Sequence, residues 1–167
     1  NVALAEAGAP ANLIVTVKEP SLENTQAMMS HKLVRMLVAT GGPGLVKTVM
    51  QSGKKAIGAG AGNPPVVVDQ TADLKKAARD IVDGASFDNN LPCTAEKEVI
   101  AVSSIVDLLR FHMVKEGAYE IRDEALLAKL VDLVADGRRP KTDWVGKSAV
   151  TILNALGITP PAGTRLI

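Results

Sequence analysis

The sequence predicts an α/β fold built on parallel strands, and three observations carry that expectation. The runs 12–17, 34–39 and 66–69 are rich in β-branched residues and almost continuously apolar, as strands covered on both faces are. They alternate with stretches of helical composition or period, an order that implies right-handed crossovers between parallel strands. Aromatic residues are only 2% of a chain that is 47% hydrophobic, so the core must come from Ala, Val, Leu and Ile. That composition suits tight helix–sheet packing.

Taken in order, 2–7 has helix-forming residues that stop at Gly8, with Pro10 beyond. Asn12–Val17 reads as a strand. Pro20-Ser21 opens a helix through His31, with Ser21 as N-cap. Val34–Ala39 is the next strand, Thr40-Gly-Gly-Pro-Gly44 a tight turn, and Leu45–Gln51 a helix. From Lys55 to Pro65, glycine and alanine alternate with almost no bulk, which lets backbone or ligand approach closely. Val66–Asp69 is a short strand, and a helix begins near Asp73 and runs to Gly84. Phe87–Lys97 is a loop, because Asn-Asn and Pro92 bar an easy helix, and Val99–Val102 is a strand. Ser104–Lys115 is an amphipathic helix with Ile105, Leu108, Leu109 and Met113 on one face. Asp123–Ala135 repeats that pattern with Leu126, Leu127, Leu130, Val131 and Val134. Gly137–Pro140 is a polar loop, Ser148–Leu156 a helix ended by Gly157, and Thr164–Ile167 the start of a strand.

Composition narrows the function classes. Nineteen Lys and Arg against eighteen Asp and Glu leave a formal charge of +1, so no electrostatic argument favours nucleic acid or an anionic membrane. No apolar stretch approaches the roughly 20 residues that a bilayer requires. A single cysteine cannot close an internal disulfide, which fits a reducing compartment. No signal-peptide pattern opens the chain. Its first residues read as the interior of a helix, so the sequence is expected to be a piece of a longer protein.

Candidate chemistry is sparse. Cys93 is the only cysteine, and a lone cysteine is more often an inert buried hydrophobe than a nucleophile. His31 and His112 lie far apart without a metal-like pattern, so no metal site is expected. Thr40-Gly-Gly-Pro-Gly44 follows a strand and opens a helix, where free N–H groups and the positive end of the dipole can meet a polar ligand. Alone it reads more simply as a plain βα turn. Arg138, Arg139 and Lys141 read as a solvated loop, with a phosphate contact as the weaker alternative. Tyr119 and Trp144 carry no functional signal.

Three segments together resemble one family: Ala39-Thr-Gly-Gly-Pro-Gly44, Gly58-Ala-Gly-Ala-Gly-Asn-Pro-Pro65 and Phe87-Asp-Asn-Asn-Leu-Pro-Cys93. Their order and spacing are similar to those of the CoA-acylating aldehyde dehydrogenases, above all the propionaldehyde and acetaldehyde enzymes of bacterial microcompartments. The similarity extends through Trp144–Lys147 and Thr164–Leu166. The resemblance implies a Rossmann-like nucleotide-binding segment over residues 1–57, followed over 58–167 by the α/β catalytic domain of the aldehyde dehydrogenase fold.

It also implies Cys93 as the catalytic nucleophile, attacking a short aldehyde to give a thiohemiacetal and then a thioacyl-enzyme that CoA cleaves. The Cys93 backbone N–H would form half of an oxyanion hole. NAD would be the cofactor, with Thr40, Gly41, Gly42, Gly60, Ala61 and Gly62 as binding residues, and CoA the co-substrate. The wider family has a second glycine where this chain has Val46. Hydrolytic relatives place a glutamate base where this chain has Gly58–Gly62, and without that base water is a poor nucleophile, so a thiol can win. The implied setting is a cytoplasmic homo-oligomer, with a microcompartment and its shell proteins as an extension, and no nucleic acid or membrane. A non-catalytic scaffolding relative and a hydrolytic aldehyde dehydrogenase are the alternatives. Lys97, the nearest cation to Cys93 in sequence, either points at the sulfur or turns out to a salt bridge, and the salt bridge is the expectation.

Overall fold

The computed structural model describes residues 1–60 and 62–167, and the chain divides into two compact units, Asn1–Ala61 and Gly62–Ile167.

The first unit contains α1 (Val2–Glu6), α2 (Leu22–Ser30), β1 (Met36–Thr40), α3 (Pro43–Met50) and β2 (Lys55–Ala59). Ser21 caps α2 as expected, its Oγ accepting from the Asn24 N–H at 3.1 Å. β1 and β2 pair in parallel, from Met36 opposite Lys55 to Thr40 opposite Ala59. Helix α3 supplies the crossover between them. It starts two residues earlier than its apolar run, because Pro43 suits the first helical position and Gly42 is the N-cap. Met29, Leu37 and Val49 form the core, packed by Val34, Ala39 and Ala56.

The expected strand at 12–17 does not form. Asn12 is left-handed at φ 60°, and Ile14 exchanges hydrogen bonds with the Asn1 side chain rather than with a neighbouring strand. Leu13, Ile14 and Val15 are exposed. An apolar β-branched run carries the propensity of a strand, but it becomes one only where a partner satisfies its backbone.

The second unit contains β3 (Pro65–Val68), α4 (Leu74–Ser86), β4 (Glu98–Ala101), α5 (Val106–Lys115), α6 (Glu124–Val134), a two-residue hairpin of β5 (Ala135–Asp136) and β6 (Arg139–Pro140), and α7 (Ala149–Ala155). β3 and β4 are parallel, from Pro65 opposite Glu98 to Val68 opposite Ala101. Among the described residues of this unit, β3 and β4 form a two-stranded parallel sheet and β5 and β6 a two-stranded antiparallel one. Asp73, Asp123 and Ser148 cap α4, α6 and α7 through their side chains. Each satisfies backbone N–H groups that the helix cannot.

Val68, Ala78, Ile81 and Leu109 form the core of this unit. Of the four apolar residues expected on one face at 104–115, Ile105 just before α5, Leu109 and Met113 turn inward, whereas Leu108 is 52% exposed. No residue of α6 is fully buried. The expected strand at 164–167 is a single bridge between Ala118 and Leu166. Of the expected polar loop at 137–140, only Gly137 and Arg138 turn the chain, while Arg139 and Pro140 pair as β6, and the Lys141 ammonium ends on the Asp132 carbonyl. Among the described residues, no helix is long and apolar enough to cross a membrane.

Candidate active site

The loop that carries Cys93 begins with an abrupt reversal at the end of α4. Asp88, Asn89 and Asn90 have φ of 47°, 51° and 64°, three consecutive non-glycine residues in the left-handed region. Each costs about 1–2 kcal/mol for an ordinary L-residue, and Asn and Asp are the types that visit it most readily. The sequence Asp-Asn-Asn is what permits this turn.

Side-chain amides then hold the loop. Asn90 Nδ2 donates to the carbonyls of Ala85 at 2.6 Å and Glu96 at 3.0 Å, joining the end of α4 to the residues beyond the cysteine. Asn89 Nδ2 donates to the Gly146 carbonyl at 2.9 Å. Within the loop, the N–H groups of Leu91 and Ala95 donate to Asp88 and Pro92. Ala95 is buried and anchors the turn, whereas Cys93 is exposed. An exposed thiol on a braced loop is accessible to a small electrophile, unlike the inert buried cysteine that is the commoner case.

Lys97 does not form the expected salt bridge. Its Nζ donates to the carbonyls of Asn90 at 3.1 Å and Pro92 at 3.2 Å, and among the described residues it pairs with no carboxylate. Two carbonyls converging on one ammonium supply the acceptors that a carboxylate would otherwise provide. The Lys97 N–H donates to the Pro64 carbonyl at 3.0 Å, so this residue also ties the loop to the entry of β3.

Gly62 lies against this loop, and a Cβ built on it would stand 3.2 Å from the Cys93 carbonyl oxygen. A side chain there would press on the backbone of the cysteine. Asn63 reaches in the other direction and donates to Glu98. The Glu96 carboxylate packs against Gly84 of α4, where a Cβ would collide with it. A cavity of about 410 Å³ borders the loop, lined by Asn89, Asn90, Glu96 and Lys97 and by Lys147 and Arg165. Cys93 is not among its lining residues.

The remaining proposed binding residues lie in the first unit. Thr40 ends β1, and the Gly41 N–H donates to the Ala59 carbonyl at 3.0 Å, extending the parallel pairing by one step. Gly42 caps α3 with no side-chain hydrogen bond, so the first turn of that helix presents N–H groups that no cap side chain occupies. This is the carboxyl end of the parallel strands, where α/β proteins commonly place polar ligands. Gly60 follows β2, 4.0 Å from Val46 measured from an added Cβ. Ala61 lies outside the described residues.

The roles of Asn90 and Lys97 as clamps were not legible from composition or spacing. The only signal was the Asn-Asn pair after a helix. Among the described residues no group of three or more His, Cys, Asp or Glu could hold a metal.

Comparison with known proteins gives this geometry a context. The family described as aldehyde dehydrogenase matches residues 2–123. The chain is 51% identical over 151 residues to propanal dehydrogenase (CoA-propanoylating) of Citrobacter freundii, covering 90% of this chain and 32% of that protein. It is 46% identical over 176 residues to acetaldehyde dehydrogenase (acetylating) of Bilophila wadsworthia, covering 100% and 36%. Propionaldehyde dehydrogenase of Rhodopseudomonas palustris, solved with bound propionyl-CoA, superposes with a TM-score of 0.86 at 62% identity, over 99% of this chain and 37% of that one. A propionaldehyde dehydrogenase from the fucose utilisation bacterial microcompartment of Clostridium phytofermentans gives 0.87 at 50% identity, over 99% and 38%. The chain thus spans about a third of the length of the relatives it matches, and its α/β architecture is that of their fold.

Proposed function

The chain belongs to the aldehyde dehydrogenase family, and from that premise we propose that the full-length protein oxidises a short aldehyde, propanal or acetaldehyde, to its CoA thioester. Residues 1–57 would close the nucleotide-binding domain, and 58–167 would carry the catalytic cysteine. The observation that carries the reading is the exposed Cys93 thiol on a loop braced by Asn90, Asn89 and Lys97.

The Cys93 thiolate attacks the aldehyde carbonyl carbon, and the carbonyl oxygen gains the negative charge. The Cys93 N–H, which donates to no acceptor among the described residues, is available to that oxygen as one donor of an oxyanion hole. As the C–H bond breaks, the hydride leaves and the thiohemiacetal collapses to a thioester on Cys93. The CoA thiol then displaces the cysteine from the acyl group, returning the free enzyme. NAD, when bound, accepts the hydride. The N-terminus of α3, where Gly42 brings no cap side chain, lies at the carboxyl end of β1 and β2 and fits a polar dinucleotide, with Thr40, Gly41, Gly42 and Gly60 as its contacts.

Thiol rather than water completes the cycle in this reading, because 58–62 contains no carboxylate to serve as a base. The Glu96 carboxylate is packed against Gly84. The setting would be a homo-oligomer. The microcompartment source of one relative extends that proposal to shell proteins as partners.

The test is NADH formation by the full-length protein from propanal and acetaldehyde, with and without CoA. CoA-dependent turnover that disappears in Cys93→Ala is the expected result. CoA-independent formation of acid, or full turnover in Cys93→Ala, would overturn it.

A further inference from the structure

We propose that Lys97 is a positioning residue that strengthens the oxyanion-binding N–H of Cys93 through the Pro92–Cys93 peptide, and that its charge is required for this. The inference rests on the nucleophilic role of Cys93 proposed above.

The Lys97 ammonium donates to the carbonyl oxygen of Pro92 at 3.2 Å. That oxygen and the Cys93 N–H belong to the same peptide unit. A cation on the oxygen draws electron density out of the conjugated amide, so the N–H at its other end becomes more positive and a stronger donor. Charge-assisted bonds are about twice as strong as neutral ones, and chained hydrogen bonds strengthen one another by roughly 10–30% per bond. The same carbonyl also accepts from the Ala95 N–H at 3.1 Å, which polarises it in the same direction.

The second contact, to the Asn90 carbonyl at 3.1 Å, fixes where the ammonium sits. Asn90 is itself held by its amide to Ala85 and Glu96, and the Lys97 backbone by Pro64. Both ends of the lysine are therefore positioned, and one of its two carbonyl partners belongs to the peptide whose N–H is the proposed oxyanion donor. The ammonium donates to backbone carbonyls, and among the described residues no hydrogen bond joins it to the thiol, so the role assigned to it is on the substrate oxygen rather than on the sulfur.

This separates two measurements. Attack on an aldehyde generates an oxyanion and needs the N–H donor, whereas alkylation of Cys93 by iodoacetamide generates none. In the full-length protein, Lys97→Met is expected to lower kcat/KM for propanal about tenfold, a fraction of the roughly 10²–10³ that loss of a whole oxyanion donor costs. The rate of Cys93 alkylation should stay within about twofold. Lys97→Gln, which keeps a neutral donor, should fall with Lys97→Met, and Lys97→Arg should recover most of the loss. Unchanged kcat/KM in Lys97→Met, wild-type behaviour of Lys97→Gln, or a parallel loss of alkylation would each overturn the proposal; the last would leave Lys97 as a brace only. Cys93→Ala distinguishes the two levels. If it retains turnover, the nucleophile assignment fails. If it loses turnover while Lys97→Met does not, only the role of Lys97 fails.

Discussion

The side-chain amide of Asn90 donates to both the Ala85 carbonyl and the Glu96 carbonyl, so one residue spans the cysteine loop from its entry to its exit. Asn90 also has φ of 64°, where an alanine pays a steric cost and a glycine does not. The two properties can be separated by substitution. Asn90→Ala should destabilise the protein by about 2–4 kcal/mol, from two lost hydrogen bonds and the strained backbone. Asn90→Gly should cost less, about 1–2 kcal/mol, because only the bonds are lost. Urea unfolding of the full-length variants reads the difference. Equal losses for the two would show that the backbone conformation contributes nothing.

How much of this was legible in the sequence depended on whether local chemistry or a distant partner decided the outcome. Ser21, Asp73, Asp123 and Ser148 cap their helices as such residues do, because capping is settled within three residues. Cys93 was placed on a loop by Asn89, Asn90 and Pro92, and the structure puts it there. The run at 12–17 failed because strand formation requires a neighbouring chain, which apolar composition cannot supply. Lys97 was misjudged for a related reason. A flexible ammonium takes whichever acceptors the fold brings close, and here these are the Asn90 carbonyl at the end of a left-handed turn and the Pro92 carbonyl just beyond it, which sequence spacing does not reveal.

The same contrast between period and packing makes α5 a test of which residues hold the second unit together. Leu108 and Leu109 are adjacent and equally apolar, but Leu109 is 2% exposed and Leu108 is 52% exposed. Leu109→Ala removes atoms from the cluster with Val68, Ala78 and Ile81, and should cost about 2–5 kcal/mol. Leu108→Ala should change stability by no more than about 1 kcal/mol, since its side chain is half in solvent. Thermal or urea melts of the pair check this. A larger loss at Leu108 would mean that its exposed face is covered in the full-length protein.

Asp69 provides a pH-dependent contribution. Its Oδ1 accepts from the Thr71 hydroxyl at 2.6 Å and from the Thr71 N–H at 2.9 Å, bonds that hold its carboxyl below the usual aspartate range. A carboxyl depressed in the folded state binds its proton more readily when unfolded. Its contribution is therefore present above the ordinary aspartate range and is lost as the pH falls through the depressed folded value. Thr71→Val removes the hydroxyl, the first of the two causes, and keeps the N–H. The variant should be less stable than the parent at neutral pH, and the gap should close as the solution is acidified. A gap that stays constant with pH would assign the effect to packing at Thr71 instead.

The small residues at the end of β2 and just beyond it carry the last prediction. A Cβ on Gly58 would stand 2.8 Å from Val46 Cγ1, and one on Gly60 4.0 Å from Val46 Cγ2. The bulk absent at Gly58 and Gly60 is thus supplied from α3, by Val46. Gly58→Ala should cost about 1–3 kcal/mol by overpacking. Val46→Ala alone should cost about 1 kcal/mol for lost methyl contacts. Because each change acts on the same space, the double variant should be more stable than the two losses summed, with a coupling of about 1–2 kcal/mol. A double-mutant cycle of urea midpoints in the full-length protein measures it. Additive losses would show that Val46 yields to the new methyl without strain, and that the small residues of β2 are not there to accommodate the helix. In that case close approach of a ligand becomes the better physical reason for Gly58 and Gly60, and NAD affinity, rather than stability, should fall in Gly58→Ala.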